Sequence, residues 1–144
     1  MNNLPIPAAD ALAHSQLLQQ TIIDEVAAAD GWLSFSRFMD CLLYAPSLGY
    51  YTAGARKFGA AGDFVTAPEM TALFGRALAT QISQIMGISA PLILEVGAGS
   101  GRLAADLLLE LERAGSLPER YCILDLSADL RQRQGQTIAA AAPH

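Results

Sequence analysis

Residues 92–102 read Leu-Ile-Leu-Glu-Val-Gly-Ala-Gly-Ser-Gly-Arg. An apolar run, an acid at Glu95 and three glycines at alternate positions, Gly97, Gly99 and Gly101, could bring bare backbone against a small ligand. Glycine allows positive φ and lets a ligand approach the main chain closely. The N–H groups of a helix start beyond the turn favour anionic or polar ligand atoms. In an open α/β sheet the ligand sits outside the carboxyl ends of the strands, which places it at residues 97–101. Asp125 ends the next apolar run, 24 residues past Gly101. A carboxylate there can accept hydrogen bonds from two ribose hydroxyls. On its own, such an Asp more simply ends a strand or caps the next helix. Beside the glycine turn at this spacing, the ribose role is the better reading.

Several ligand chemistries compete for the turn. A P-loop ends in Gly-Lys-Ser/Thr, and this chain has Gly101-Arg102-Leu103, so that reading fails. A nucleophile elbow needs glycines two residues either side of its serine; Ala98 and Arg102 hold those positions around Ser100. The dinucleotide fingerprint wants a glycine at position 102, which is Arg; an NAD-dependent oxidoreductase is thereby weakened and stays as an alternative. The remaining pattern, acidic-x-Gly-x-Gly-x-Gly, is matched by Glu95, Gly97, Gly99 and Gly101. It resembles that of Rossmann-like S-adenosylmethionine-dependent methyltransferases. A turn that only reverses the chain is the bland alternative, and a strand before it with a helix after it makes that the weaker one.

The elements that would position these residues follow from periodicity. An apolar face of Leu12, Leu17, Leu18, Ile22, Ile23 and Val26 predicts a helix over about 10–29, stopped by Asp30-Gly31. Ser34 is placed to cap a second helix through Leu43. Residues 49–65 hold four glycines, Tyr50-Tyr51 and Arg56-Lys57 with no period, as in a functional or mobile loop. Thr66-Ala67-Pro68-Glu69 fits a capping box opening a helix to about Met86. Then come a strand at 92–96, without polar alternation and so expected to be buried on both faces, and a helix at 102–113. A second strand follows at 121–126, and Ser127 is placed to cap a last helix. The fold class expected is α/β: a Rossmann-like sheet, incomplete, with its first two parallel strands and a helical N-terminal extension. Residues 1–89 would form the extension with its glycine-rich loop, and 90–144 the first part of the ligand-binding domain.

Composition narrows the function classes. With 52% hydrophobic and 16% charged residues among 144, the chain is globular sequence rather than disordered. Nine basic against 14 acidic residues, a net charge of −5, argues against nucleic-acid binding. Cys41 and Cys122 are too far apart for a metal knuckle and read as buried, reduced thiols. No apolar run approaches the ~20 residues that would insert in a bilayer. The start is neither a secretory leader nor Arg-rich, so a cytoplasmic location is expected.

Further segments carry a resemblance. Phe38-Met39 with Leu43-Tyr44, Gly49-Tyr50-Tyr51, Gly62-Asp63-Phe64-Val65-Thr66-Ala67-Pro68-Glu69, Phe74-Gly75, and 121–127 with Leu130-Arg131 together resemble the MidA-like methyltransferases. The similarity spans nearly all of 12–136, and 62–69 is its most specific part. The family includes a mitochondrial complex I assembly factor that methylates an arginine. The resemblance implies S-adenosyl-L-methionine as cofactor and a protein arginine as methyl acceptor. It implies Glu95, Gly97 and Gly99 around the methionine end and Asp125 on the ribose. Ala98 and Gly101 of the same turn, with Asp63 and Thr66 of the glycine-rich loop and its end, are the further candidates for cofactor binding. Family members often carry Glu where this chain has Asp125, which keeps both acceptor oxygens. Such domains run longer than 144 residues, so the chain is expected to be an N-terminal part and inactive alone. Its exposed sheet edge then offers a route to homo-oligomers. No catalytic base is identified. Asp63 and Glu69 are the carboxylates considered, and Tyr50 and Tyr51 more simply pack the loop than line an acceptor channel. A non-catalytic assembly module that keeps the fold is the alternative from a different class.

Overall fold

A computed structural model describes residues 6–54 and 65–141 of the chain. These fall into two compact units, Met1–Gly54 and Ala55–His144. The division expected after residue 89 lies inside the second unit.

The first unit pairs α1 (Ala9–Ala28) with α2 (Phe35–Tyr44). Asp30 and Gly31 take positive φ and end α1. The Ser34 hydroxyl accepts the Arg37 N–H at 3.2 Å and caps α2. The expected face of α1 is only partly covered: Leu17 and Ile23 are exposed while Leu18 and Ile22 are half-buried. Tyr51 stacks on Tyr44 at 5.6 Å and meets Tyr50 edge-on at 5.0 Å. Tyr51 therefore packs on α2, and Tyr50 packs on Tyr51.

The second unit runs α3 (Ala67–Met70), α4 (Ala72–Met86), β1 (Leu92–Val96), α5 (Arg102–Arg113), β2 (Arg120–Leu124) and α6 (Ala128–Ala141). The single helix expected from Thr66 to Met86 is broken. Thr71 is extended, at φ −162° and ψ 140°, and its hydroxyl caps α4 by accepting the Leu73 N–H at 3.2 Å. Thr66 makes no side-chain cap, so the capping box does not form. Two threonines five residues apart compete to start one helix, and the second caps the longer piece.

β1 and β2 are parallel, with Leu92 opposite Arg120 and Val96 opposite Leu124. Helices α4 and α5 pack closely, and Ala79, Leu107 and Leu111 form the buried centre. Ile93 and Tyr121 reach down onto that centre from the strands. The opposite face is open among the described residues, with Leu94 67% and Val96 71% exposed. The expectation of strands buried on both faces is therefore corrected. An apolar run shows that a strand suits burial; it does not supply the layer that covers it. Cys122 lies on this open face and is exposed, so only Cys41 matches the expected buried thiols. A Schellman turn closes α5: Gly115, at φ +63°, donates to Glu112 O and Ser116 donates to Leu111 O, both at 2.9 Å.

Candidate cofactor site

The glycine turn leaves β1 at the carboxyl end of the sheet. The Gly97 N–H donates to Leu124 O at 2.9 Å, which fastens the turn to the end of β2. Gly97, Gly99 and Gly101 have φ of +69°, +56° and +83°, a region costly for other residues. Their alternate spacing is thus a backbone requirement. The space off Gly97 is open: an added Cβ would meet nothing within 4 Å. The same atom at Gly101 would stand 2.9 Å from the Gln134 Cα. One glycine therefore faces free space and another admits a helix.

A cleft of about 340 Å3 opens beside the turn. It is lined by Thr66 and Glu69 from the α3 side and by Glu95, Gly97, Ala98 and Gly99 from β1 and the turn. Gly101 stands behind these as the N-cap of α5. Asp125 follows β2 and is not part of that lining. Its Oδ1 accepts the Ser127 N–H at 3.0 Å, and its Oδ2 accepts from Gln134 Nε2 at 2.8 Å. Asp63 lies outside the described residues. The arrangement fits an S-adenosyl group in two respects. Open backbone and the Glu95 carboxylate line the cleft, and a second carboxylate, Asp125, stands just beyond the end of the neighbouring strand.

Glu95 points to the covered side of the sheet, where its Oε2 accepts the Tyr121 hydroxyl at 2.7 Å. Burial raises the Glu95 carboxyl above its ordinary range, and the Tyr121 hydrogen bond partly offsets this. Tyr121 is itself pushed up, by burial first and then by bonding to Glu95. Because Glu95 is raised in the folded chain, its stabilising contribution is full at acid pH and falls as pH rises through the folded value. Glu95→Gln removes the half-buried charge and keeps an acceptor for Tyr121. It is expected to raise the melting temperature at pH 8, with the gain over wild type vanishing as pH falls towards 4. Thermal melts across that range check it; a gain independent of pH would contradict it.

Some contacts were not visible in the sequence. The Ser100 hydroxyl donates to the Glu69 carboxylate, so Glu69 serves the glycine turn rather than its own helix start. Arg131 caps the end of β2, donating to Asp125 O at 2.8 Å and Leu126 O at 3.1 Å. Gln134 is buried between the turn and Asp125. Its signal was available: Leu130, Gln134 and Ile138 recur every fourth residue, so a polar side chain stands on the inward stripe of α6. No group of three or more His, Cys, Asp or Glu among the described residues is placed to hold a metal. No described helix is long and apolar enough to cross a membrane.

Comparison with known proteins bears on this site. The model of the S-adenosyl-L-methionine-dependent methyltransferase family Methyltransf_28 matches residues 73–144, half of the chain. A crystal structure of a COG1565 superfamily protein from Burkholderia thailandensis, bound to S-adenosylhomocysteine, superposes with a TM-score of 0.89 at 46% identity. The match covers 98% of this chain and 38% of that one. The protein arginine methyltransferase NDUFAF7, mitochondrial, of Danio rerio is 36% identical over 65% of this chain and 24% of its own length. The Homo sapiens protein of that name is 33% identical over 75% of this chain and 26% of its own. The chain thus spans about a quarter of the curated relatives it matches. The expected cytoplasmic location is corrected by these relatives, which are named as mitochondrial. That expectation rested on features the residues after Met1 lack, and an absence does not fix a compartment.

Proposed function

The chain belongs to the S-adenosyl-L-methionine-dependent methyltransferase family, and from that premise we propose that it carries the donor side of a protein arginine methyltransferase. The observation that carries this reading is the cleft at the glycine turn, lined by Glu95, Gly97, Ala98, Gly99 and Thr66. It is supported by the likeness to a structure bound to S-adenosylhomocysteine and by the names of the NDUFAF7 relatives.

When bound, the cofactor supplies an electrophilic methyl group on a sulfonium. The chain's residues do the rest by holding and orienting. Gly97 and Gly99 offer bare backbone to the methionine end, and Glu95 supplies a carboxylate beside it. Asp125 accepts from the ribose hydroxyls and fixes the other end. Holding two reacting groups in register contributes about 7–11 kcal/mol in well-oriented systems. An arginine acceptor is protonated in water and has to lose a proton during transfer, so a carboxylate must face it. Glu69, on the cleft wall and anchored through Ser100, is the described carboxylate beyond Glu95 placed there. Since the chain matches 38% of the Burkholderia protein, residues 1–144 alone are expected to show weak turnover or none.

Calorimetric titration of the intact protein with S-adenosylhomocysteine tests the donor reading. Wild type is expected to bind. Gly99→Val, at φ +56° in the cleft wall, is expected to lose roughly a hundredfold in affinity or more. Intact, folded wild type that fails to bind would overturn the reading, and preference for NAD would replace it with an oxidoreductase.

A further inference from the structure

Gln134 lies on α6, outside the cleft lining, and is 3% exposed. Its Nε2 donates to Gly99 O at 3.1 Å and to Asp125 Oδ2 at 2.8 Å. Both amide hydrogens are thereby used. The orientation of the amide follows from its partners, since turning it over would set an oxygen against a carbonyl and a carboxylate. One side chain thus joins the middle glycine of the turn to the acid at the end of the next strand. Asp125 is held on both oxygens, by Ser127 N–H on Oδ1 and by Gln134 on Oδ2. Each oxygen keeps a further lone pair for a ligand hydroxyl.

We propose that Gln134 is a positioning residue for ribose recognition: it locks the Asp125 carboxylate and sets its distance from the glycine turn. The inference rests on the donor-site reading above. Asp125 stands beyond the last residue of β2, where the ladder no longer orients it. A carboxylate free to rotate must be ordered by the ligand, at a cost in affinity. Gln134 does that ordering in advance. It does so from α6, the helix that Gly101 admits to within Cβ distance of the turn. The lack of a side chain at Gly101 and the amide of Gln134 are therefore two halves of one device.

The test uses the intact protein with two probes, S-adenosylhomocysteine and its analogue lacking the ribose 2′ and 3′ hydroxyls. Wild type is expected to prefer the former. Gln134→Met keeps the bulk beside Gly101 and removes the donor. It is expected to weaken S-adenosylhomocysteine roughly ten- to thirtyfold and the analogue less than about threefold. In an Asp125→Ala background the same change is expected to add nothing. Cooperative melting checks that the variant folds; should it not, Gln134→Asn, which keeps an amide on a shorter stem, is read in the same way. Equal loss for both probes would assign Gln134 to packing and overturn the proposal, as would no loss for either. Wild type that binds neither probe would sink the donor-site reading itself, and the inference with it.

Discussion

Gly101→Ala is expected to lower the stability of the chain by about 2–5 kcal/mol, a large share of the ~5–15 kcal/mol that holds a typical domain folded. Two separate costs add. At φ +83° any L side chain meets its own backbone, worth about 1–2 kcal/mol. The new Cβ also stands 2.9 Å from the Gln134 Cα and 3.2 Å from its carbonyl oxygen. Those are main-chain atoms of a helix and cannot swing aside, so α6 must move as a body; overpacking of this kind costs about 1–3 kcal/mol. Moving α6 draws Gln134 away from Gly99 and Asp125, so ligand affinity falls with stability. Gly97→Ala is the control. It meets the same backbone strain at φ +69° but no atom within 4 Å. It is expected to cost only the strain, about 1–2 kcal/mol, and still to lose S-adenosylhomocysteine, because its methyl group enters the space left for the ligand. Urea melts and calorimetry on the two variants separate a glycine kept for packing from one kept for ligand. Equal stability losses would contradict the distinction.

What the chain's residues disclose follows how locally each feature is determined. The turn at 97–101 was readable because positive φ at alternate residues leaves glycine as the cheap choice, and no partner is needed to see it. Ser34 and Ser127 were readable as caps because the N–H groups they accept lie three residues on. The break at Thr71 was not. Both Thr66 and Thr71 can start a helix; in the fold Thr71 caps the longer one, while Glu69 accepts from Ser100 instead of reaching back to Thr66. The open face of β1 was hidden for a related reason: an apolar strand looks alike whether or not a layer lies over it. Gln134 shows the limit most clearly. Its stripe position is visible, but its partners lie 35 and nine residues away, and only folding brings them together.

Gly75→Leu is expected to cost more than about 3 kcal/mol and to weaken cofactor binding, although Gly75 is not among the residues lining the cleft. Gly75 and Ala79 lie one turn apart on α4 and are buried. An added Cβ at Gly75 would stand 2.7 Å from the Asp106 Cβ on α5, too close for two helices to tolerate without parting. Asp106 is nearly buried and accepts from Arg102 Nε at 3.0 Å, a bond that ties the middle of α5 to its first turn. Pushing α5 outward therefore moves the helix start that the glycine turn feeds. Gly75→Ala is the milder form, since alanine gains about 1 kcal/mol in helix propensity and offsets part of the clash. The pair of variants is expected to fall in the order wild type, alanine, leucine, both in melting temperature and in affinity for S-adenosylhomocysteine at a temperature where all are folded. Affinity that holds while stability drops would mean that the turn is set by β1 and β2 alone. The hydrogen bond from Gly97 to Leu124 fastens only the first residue of that turn to the sheet. Gly101 caps α5, so the last residue must follow the helix.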